Sequence, residues 1–136
     1  VRGQHIILCP DNRKYLAELT GLLRKMGLRV HQMSPETHDQ LMATIQVIPH
    51  LNALISGSLF RELLIHPEQS LELCSPVYKT ELLMIGRIYA QNPELYSTIM
   101  AQNPLSKTIA QKLMNIVSNV AIEIANGNID LLTKTF

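Results

Sequence analysis

A histidine that follows a proline inside an apolar helical pattern is the first place where this chain could do chemistry. Pro49 and His50 lie within QVIPHLNALISG, residues 46–57, in the most apolar region of the sequence. Proline removes one hydrogen bond of the helical ladder and bends the helix, which leaves a free carbonyl and room for a pocket. A neutral imidazole can donate or accept a hydrogen bond there. The alternative is a core histidine bonded to backbone, which the pattern alone favours.

Four further polar side chains could serve the same pocket. Ser75 and Tyr78 could hydrogen-bond a ligand, although a Ser-Pro pair more often simply begins a helix. Gln46 and Asn52 flank His50, and either could line a site or satisfy a buried backbone group. The residue types alone leave both roles open for all four.

Composition narrows the class of protein. The chain has 136 residues, of which 46% are apolar and 17% are charged, and this suits a single globular domain. The net charge of +1 comes without a basic stripe, and tryptophan is absent, so nucleic-acid binding is disfavoured. No GxGxxG, P-loop, HExxH or GxSxG motif is present, so these residues alone do not hold a dinucleotide by the Rossmann mechanism.

The two cysteines indicate a reducing compartment. Cys9 and Cys74 belong to no CxxC pair, and isolated cysteines suit buried thiols in the cytosol better than a disulfide frame or a zinc site. We therefore expect no metal site and a cytoplasmic protein. Residues 45–65 are apolar but carry too many polar groups for a bilayer span, so we expect a helix enclosed by protein.

The first 33 residues predict a strand, a helix and a second strand. His5 to Leu8 is a short apolar run, followed by Pro10 and an expected helix cap at Asp11–Asn12. Leucines then recur at helical spacing from Leu16, and Gly27 closes that helix. A second strand follows from Leu28 to Gln32. We interpret residues 1–33 as the βαβ edge of a nucleotide-binding domain whose other strands lie outside these residues.

From Ser34 onward the pattern is helical, which makes the chain mostly α. Ser34 is a candidate N-cap before Pro35, and residues 34–136 are predicted to form an all-α domain. We expect long helices over 35–65, 78–91 and 105–125, with Asn-Pro pairs between some of them. The helices are apolar around much of their circumference, which favours packing against a second copy.

An ordered series of short motifs resembles the C-terminal part of the prephenate dehydrogenase family. In chain order the matching residues are His38-Asp39, Pro49-His50, Ser75-Pro76-Val77-Tyr78, Gly86-Arg87 and Asn92-Pro93-Glu94-Leu95-Tyr96. The series covers nearly the whole chain and is far more specific than any one of its members.

The resemblance implies an enzyme of two domains. The N-terminal Rossmann domain binds NAD (or NADP) through residues mainly absent from this chain, and the helical domain, similar to the C-terminal domain of 6-phosphogluconate dehydrogenase, forms a homodimer. The implied reaction is the NAD-dependent oxidative decarboxylation of prephenate to 4-hydroxyphenylpyruvate in tyrosine biosynthesis. The family's catalytic histidine is expected upstream of this chain, so these residues alone should be inactive.

The resemblance also implies roles for particular residues. His50 matches the family's helical histidine that contacts substrate. Lys79 stands where the family usually has an arginine that holds a prephenate carboxylate, and lysine keeps the charge but loses the bidentate fork. Arg87 could support the pocket or pair across the dimer. The structural alternatives are a solvated Lys79 and an ion pair of Arg87 with a nearby glutamate.

Two other functions remain open at this point. One is a non-catalytic helical module for dimerisation or tyrosine sensing, since the cofactor domain is missing and Lys79 departs from the family pattern. The other is a related dehydrogenase of the same design that acts on another acid, such as arogenate.

Overall fold

The computed structural model describes residues 2–135, with the backbone alone described for Thr135. The chain divides into two compact units, one up to Ile45 and one from Gln46. The domain boundary predicted between residues 33 and 34 stays a prediction.

The first unit contains the predicted βαβ element. Its strands and helices are β1 His5–Leu8, α1 Leu16–Lys25, β2 Arg29–Gln32 and α2 Pro35–Met42. The two strands are parallel, and Ile6 pairs with Val30. A parallel pair needs a crossover connection, and α1 supplies it.

Two side-chain contacts hold the βαβ element together, one between β2 and α1 and one between the two strands. Buried Thr20 on α1 accepts a hydrogen bond from the Gln32 side chain of β2, with an Nε2–Oγ1 distance of 2.8 Å. His5 and His31 stack with ring centroids 5.0 Å apart, and the His5 Nδ1 and His31 Nε2 atoms are 2.8 Å apart. Both histidines are exposed.

The end of α1 was predicted correctly, but its beginning was not. Gly27 has a φ of +86° just after the helix, and the Leu28 amide returns to the Leu23 carbonyl. The expected cap at Asp11–Asn12 is wrong. The Asn12 side chain instead accepts from the Lys14 amide at 2.8 Å, and α1 begins only at Leu16. Asparagine commonly closes such a local turn, which competes with a helix start.

The helix predicted over 35–65 is interrupted at one place. After α2, a π-helical turn covers Ala43–Val47, and helix α3 runs from Ile48 to Glu62. Pro49 has no N–H for the Ile45 carbonyl, and its ring disfavours regular α geometry one turn earlier. Pro49 predicts a break in the regular α-helix. The break is the π-helical turn directly before it.

The second unit continues with five more helices over the described residues. They are α4 Pro67–Ser70, α5 Pro76–Tyr89, α6 Pro93–Gln102, α7 Ser106–Ala125 and α8 Ile129–Thr135. Ser75 caps α5 and Asn92 caps α6, each directly before a proline that suits the first helical position. The mostly α fold with a short N-terminal βαβ element is confirmed.

Helices α3 and α5 are in close contact at Gly57. A Cβ atom added to Gly57 would lie 2.5 Å from Cε2 of the Tyr89 ring. The Tyr89 hydroxyl donates to the Leu54 carbonyl at 3.1 Å. Farther along, the Ser56 hydroxyl donates to the Glu81 carboxylate at 3.1 Å. The absence of a side chain at Gly57 is thus what allows the tyrosine ring to lie across α3.

Few side chains are fully enclosed within the described part of the chain. The buried residues are Thr20, Ala43, Val47, His50 and Ala53. Many large apolar side chains on α3, α5 and α7 remain exposed. No helix within residues 2–135 is long and apolar enough to cross a membrane.

Substituting Gly57 tests the close approach of α3 and α5. Gly57→Ala removes a helical glycine, which alone would stabilise the protein by about 1 kcal/mol. The new methyl group displaces the Tyr89 ring and breaks its hydrogen bond, so we expect a net loss of about 1 kcal/mol in the free energy of unfolding. Urea denaturation measures it.

A second background supplies the control. In Tyr89→Leu the conflicting ring atoms are gone, so Gly57→Ala should there raise the free energy of unfolding. Gly86→Ala on α5, which meets no heavy atom within 4 Å, should be stabilising in the wild-type background. Equal effects of Gly57→Ala in both backgrounds would contradict the proposed contact.

Candidate functional site

His50 is a buried histidine with an unsatisfied ring nitrogen. It lies one residue after Pro49 on α3, and its side chain is 9% exposed. Its Nδ1 atom has no hydrogen-bond partner among residues 2–135. The Tyr96 ring of α6 packs edge-on against the imidazole, with centroids 4.4 Å apart and planes at 85°. The arrangement fixes the imidazole by packing and leaves a polar atom free.

A cavity of about 140 Å³ lies beside His50. Its lining includes His50, Leu54, Ile88, Tyr89, Tyr96 and Met100. An apolar cavity of about 150 Å³ is large enough to hold benzene. The space therefore matches one six-membered ring, with an imidazole and two tyrosines among its walls.

Burial keeps the imidazole neutral. Desolvation lowers the pKa of His50 from its ordinary value, because the charged form loses its hydration. A neutral imidazole can donate from one nitrogen and accept at the other. Such a group can recognise a hydroxyl or a carboxylate without carrying a net charge into the cavity.

The two tyrosines of the cavity were not assigned a role from the sequence. Tyr96 ends the last of the resembling motifs, and Tyr89 has no motif signal at all. What places Tyr89 in the wall is the absence of a side chain at Gly57, thirty-two positions earlier. A search for glycines opposite aromatic residues on paired helices could have indicated this contact.

Lys79 and Arg87 do not line the cavity beside His50. Both side chains are exposed on α5, and neither makes a hydrogen bond or an ion pair within the described residues. Arg87 directly precedes Ile88, which does line the cavity. The ion pair of Arg87 with Glu81 or Glu94, considered from the sequence, is not formed. Two unpaired cations are therefore available outside the cavity.

Ser75 and Tyr78 are engaged in local structure at the start of α5. The Ser75 hydroxyl accepts from the Tyr78 amide at 3.2 Å and so caps the helix. The Tyr78 hydroxyl lies 3.0 Å from that of Ser70, and its ring lies 6.2 Å from the ring of Phe60. Neither residue lines the cavity beside His50.

The two polar neighbours of His50 are separated from it. Asn52 is exposed and lines a different groove of about 370 Å³, where Ser56 and Glu81 also lie. Gln46 is half-buried in the π-helical turn and does not line the His50 cavity. Of the residues predicted for the site, the structure places His50 alone in this cavity.

The βαβ element does not fit the pyrophosphate of a dinucleotide. The turn between β1 and α1 reads CPDNRKY and contains no glycine, whereas a phosphate-binding turn needs glycines for close backbone approach. Among the described residues there is also no group of three or more His, Cys, Asp or Glu that could hold a metal ion.

The lowered pKa of His50 predicts a dependence of stability on pH. The unfolded chain takes up a proton near pH 6.5, above the pKa of the folded state. Stability should therefore fall as the pH drops below about 7, until the folded state is protonated too. Urea denaturation of wild type and His50→Gln across this range isolates the contribution. Parallel curves for the two proteins would contradict it.

The cap at Ser75 predicts a structural effect of its substitution. Ser75→Ala removes the acceptor for the Tyr78 amide and should lower the free energy of unfolding by about 1 kcal/mol. Ser75→Asp keeps an acceptor at the helix start and should retain most of the stability. Thermal and urea unfolding of the two variants give the comparison, and an equally stable Ser75→Ala would rule out the cap as a stabilising contact.

Comparison with known proteins identifies the helical region. Residues 34–136 match the family model described as "Prephenate dehydrogenase, dimerization domain". A "Probable arogenate/prephenate dehydrogenase" from Methanocaldococcus jannaschii is 31% identical over 127 residues, which cover 90% of this chain and 28% of that protein.

Two other relatives cover less of the chain. A "T-protein" from Enterobacter agglomerans is 42% identical over 74 residues, which are 54% of this chain and 20% of that protein. A "4-amino-4-deoxyprephenate dehydrogenase" from Streptomyces pristinaespiralis is 30% identical over 95 residues, 70% of this chain and 32% of that protein. The chain thus spans less than a third of the length of these curated relatives. It belongs to the prephenate dehydrogenase family, in which it matches the dimerization domain.

Proposed function

We propose that this chain forms the substrate-binding and dimerisation part of a prephenate dehydrogenase. The observation that carries the proposal is the His50 cavity inside the region that matches the family. The proposed reaction is the oxidative decarboxylation of prephenate to 4-hydroxyphenylpyruvate in cytoplasmic tyrosine biosynthesis, with NAD (or NADP) as the hydride acceptor.

The cavity suits the ring of such a substrate. Prephenate has a six-membered ring, and the space of about 140 Å³ between α3, α5 and α6 is of that size. Tyr89 and Tyr96 offer aromatic surface, while Leu54 and Ile88 offer aliphatic surface. Water released from these walls would favour the entry of an apolar ring.

His50 would orient the ring through a hydrogen bond. Its imidazole lines the cavity, and its lowered pKa keeps it neutral near pH 7. We propose that it recognises the ring hydroxyl or a carboxylate oxygen. The edge-on contact with Tyr96 holds the imidazole plane for this task.

The substrate carboxylates need charged partners from outside the cavity. We propose Lys79 and Arg87 for this role, since both are exposed and unpaired within the described residues. Lys79 would act as a point charge where an arginine would grip with two hydrogen bonds. Ser75 and Tyr78 would support it by fixing the start of α5, and their direct contact with substrate stays a prediction.

The cofactor and the catalytic histidine would come from residues outside this chain. The βαβ turn without glycine does not fit the dinucleotide, so no step of the reaction is assigned to it. We further propose a homodimer formed through the helices, and tyrosine as a candidate effector. Arogenate is the alternative substrate, because one relative carries both names.

The activity can be tested on the full-length protein. We expect NADH absorbance to rise with prephenate, and His50→Asn to raise the KM for prephenate about tenfold or more through loss of a hydrogen bond to an anionic substrate. His66→Asn is the matched control, because His66 is exposed after α3 and lines no part of the cavity. Arogenate in the same assay decides between the two substrates.

Two results would contradict the proposal. One is the absence of NADH and of NADPH formation with both acids, in which case calorimetry with tyrosine tests the non-catalytic, tyrosine-sensing alternative. The other is an active enzyme whose KM is the same in His50→Asn as in wild type, which would remove His50 from the substrate site.

A further inference from the structure

Leu64 occupies a backbone conformation that normally requires glycine. Its φ is +52°, and no other non-glycine residue among those described has a positive φ. It lies just after α3, where the Ile65 amide returns to the Phe60 carbonyl at 2.8 Å and the Leu64 amide to the Arg61 carbonyl at 3.2 Å. This is the Schellman ending, in which glycine avoids the strain that a Cβ atom causes.

Packing within the chain does not compensate for that strain. The Leu64 side chain is 79% exposed. Three neighbouring apolar side chains are also open to solvent: Leu63 at 60%, Leu73 at 91% and Val77 at 78%. We call these four residues the leucine corner. A strained leucine kept on the surface, where glycine would fit better, indicates a contact outside the chain.

The four residues belong to one local structure. The Phe60 ring near the end of α3 lies 6.2 Å from the Tyr78 ring near the start of α5. The Tyr78 hydroxyl lies 3.0 Å from that of Ser70, at the end of α4. Leu63 and Leu64 follow Phe60, the Leu73 amide donates to the Ser70 carbonyl at 3.2 Å, and Val77 directly precedes Tyr78. The corner is therefore a junction of three helices within the second unit.

The accessible surface is larger than that of closed bodies of this size. The chain exposes 10749 Å². Two separate compact bodies of the sizes of the two units would together expose about 8,500 Å². The excess of roughly 2,000 Å² matches what one subunit contributes to a large, obligate dimer interface. Residues 61–72 carry one arginine and three glutamates, a charge balance that disfavours an anionic membrane surface.

We propose that the leucine corner packs against a second copy of this chain, with Leu64 inserted as the anchor. The inference rests on the homodimer of the proposed function and names the surface that forms it. In a twofold dimer each copy presents the same patch, so one substitution changes the interface twice. The Leu64 side chain is 79% exposed in this left-handed position, so a partner can enclose it.

Two substitutions of Leu64 separate the interface from the fold. Leu64→Gly relieves the backbone strain and removes the side chain, while Leu64→Asn tolerates the same φ but presents a polar group. Sedimentation velocity of the full-length protein over a concentration series should show a dimer dissociation constant about tenfold or more above wild type for both variants. The unfolding midpoint of the dissociated Leu64→Gly protein should be equal to or above that of wild type.

Two variants serve as controls. Leu64→Met keeps an apolar side chain and should dimerise as wild type does. Leu22→Gln removes a comparably exposed leucine from α1, outside the corner, and should leave the dissociation constant unchanged.

The corner proposal fails if Leu64→Gly dimerises as tightly as wild type. It also fails if wild type stays monomeric while vesicles of phosphatidylcholine and phosphatidylserine bind it through Leu64. The prephenate assay on wild type keeps the two proposals apart. If wild type is active and Leu64→Gly dimerises as wild type does, only the assignment of the leucine corner is wrong. If Leu64→Gly weakens the dimer but wild type is inactive towards both prephenate and arogenate, only the proposed reaction is wrong.

Discussion

The close approach of α3 and α5 at Gly57 is the constraint on which the helical unit depends. Because position 57 has no side chain, the Tyr89 ring can lie across α3 and donate to the Leu54 carbonyl. That position makes Tyr89 a wall of the cavity beside His50. The glycine at position 57 therefore determines both how α3 and α5 pack and the shape of the candidate site.

His50 shows how stability and recognition oppose each other here. A buried imidazole with an unpartnered nitrogen costs about 1–3 kcal/mol relative to a satisfied one. A leucine or methionine at this position would fill the space without that cost. A polar side chain retained in the wall of an apolar cavity is most simply explained by a ligand that pairs with it, and the lowered pKa keeps the imidazole uncharged.

The sequence was informative wherever the controlling interaction is local. β1, the glycine that ends α1, the Ser34 cap and the Asn-Pro helix boundaries depend on neighbouring residues, and all were predicted. The Ser75 cap was left open beside a ligand-binding role. The π-helical turn at Ala43–Val47 was not predicted, because proline marks a break without stating how the preceding turn absorbs it. The cavity was only partly predicted, since Tyr89 enters it through a contact thirty-two residues away. Lys79 lies in a recognisable motif, but the motif does not show which surface the lysine faces. That depends on the rotation of α5 about its axis relative to α3.

The exposed leucines after α3 also affect how an unassembled chain is handled in the cell. Leu64 and Leu73 are the kind of accessible apolar side chains that chaperones and proteases use to recognise unassembled chains. A newly made copy would expose these leucines until a second copy covers them. The same residues that we assign to assembly would then set how long an unassembled copy survives, so protein abundance would follow the completeness of assembly.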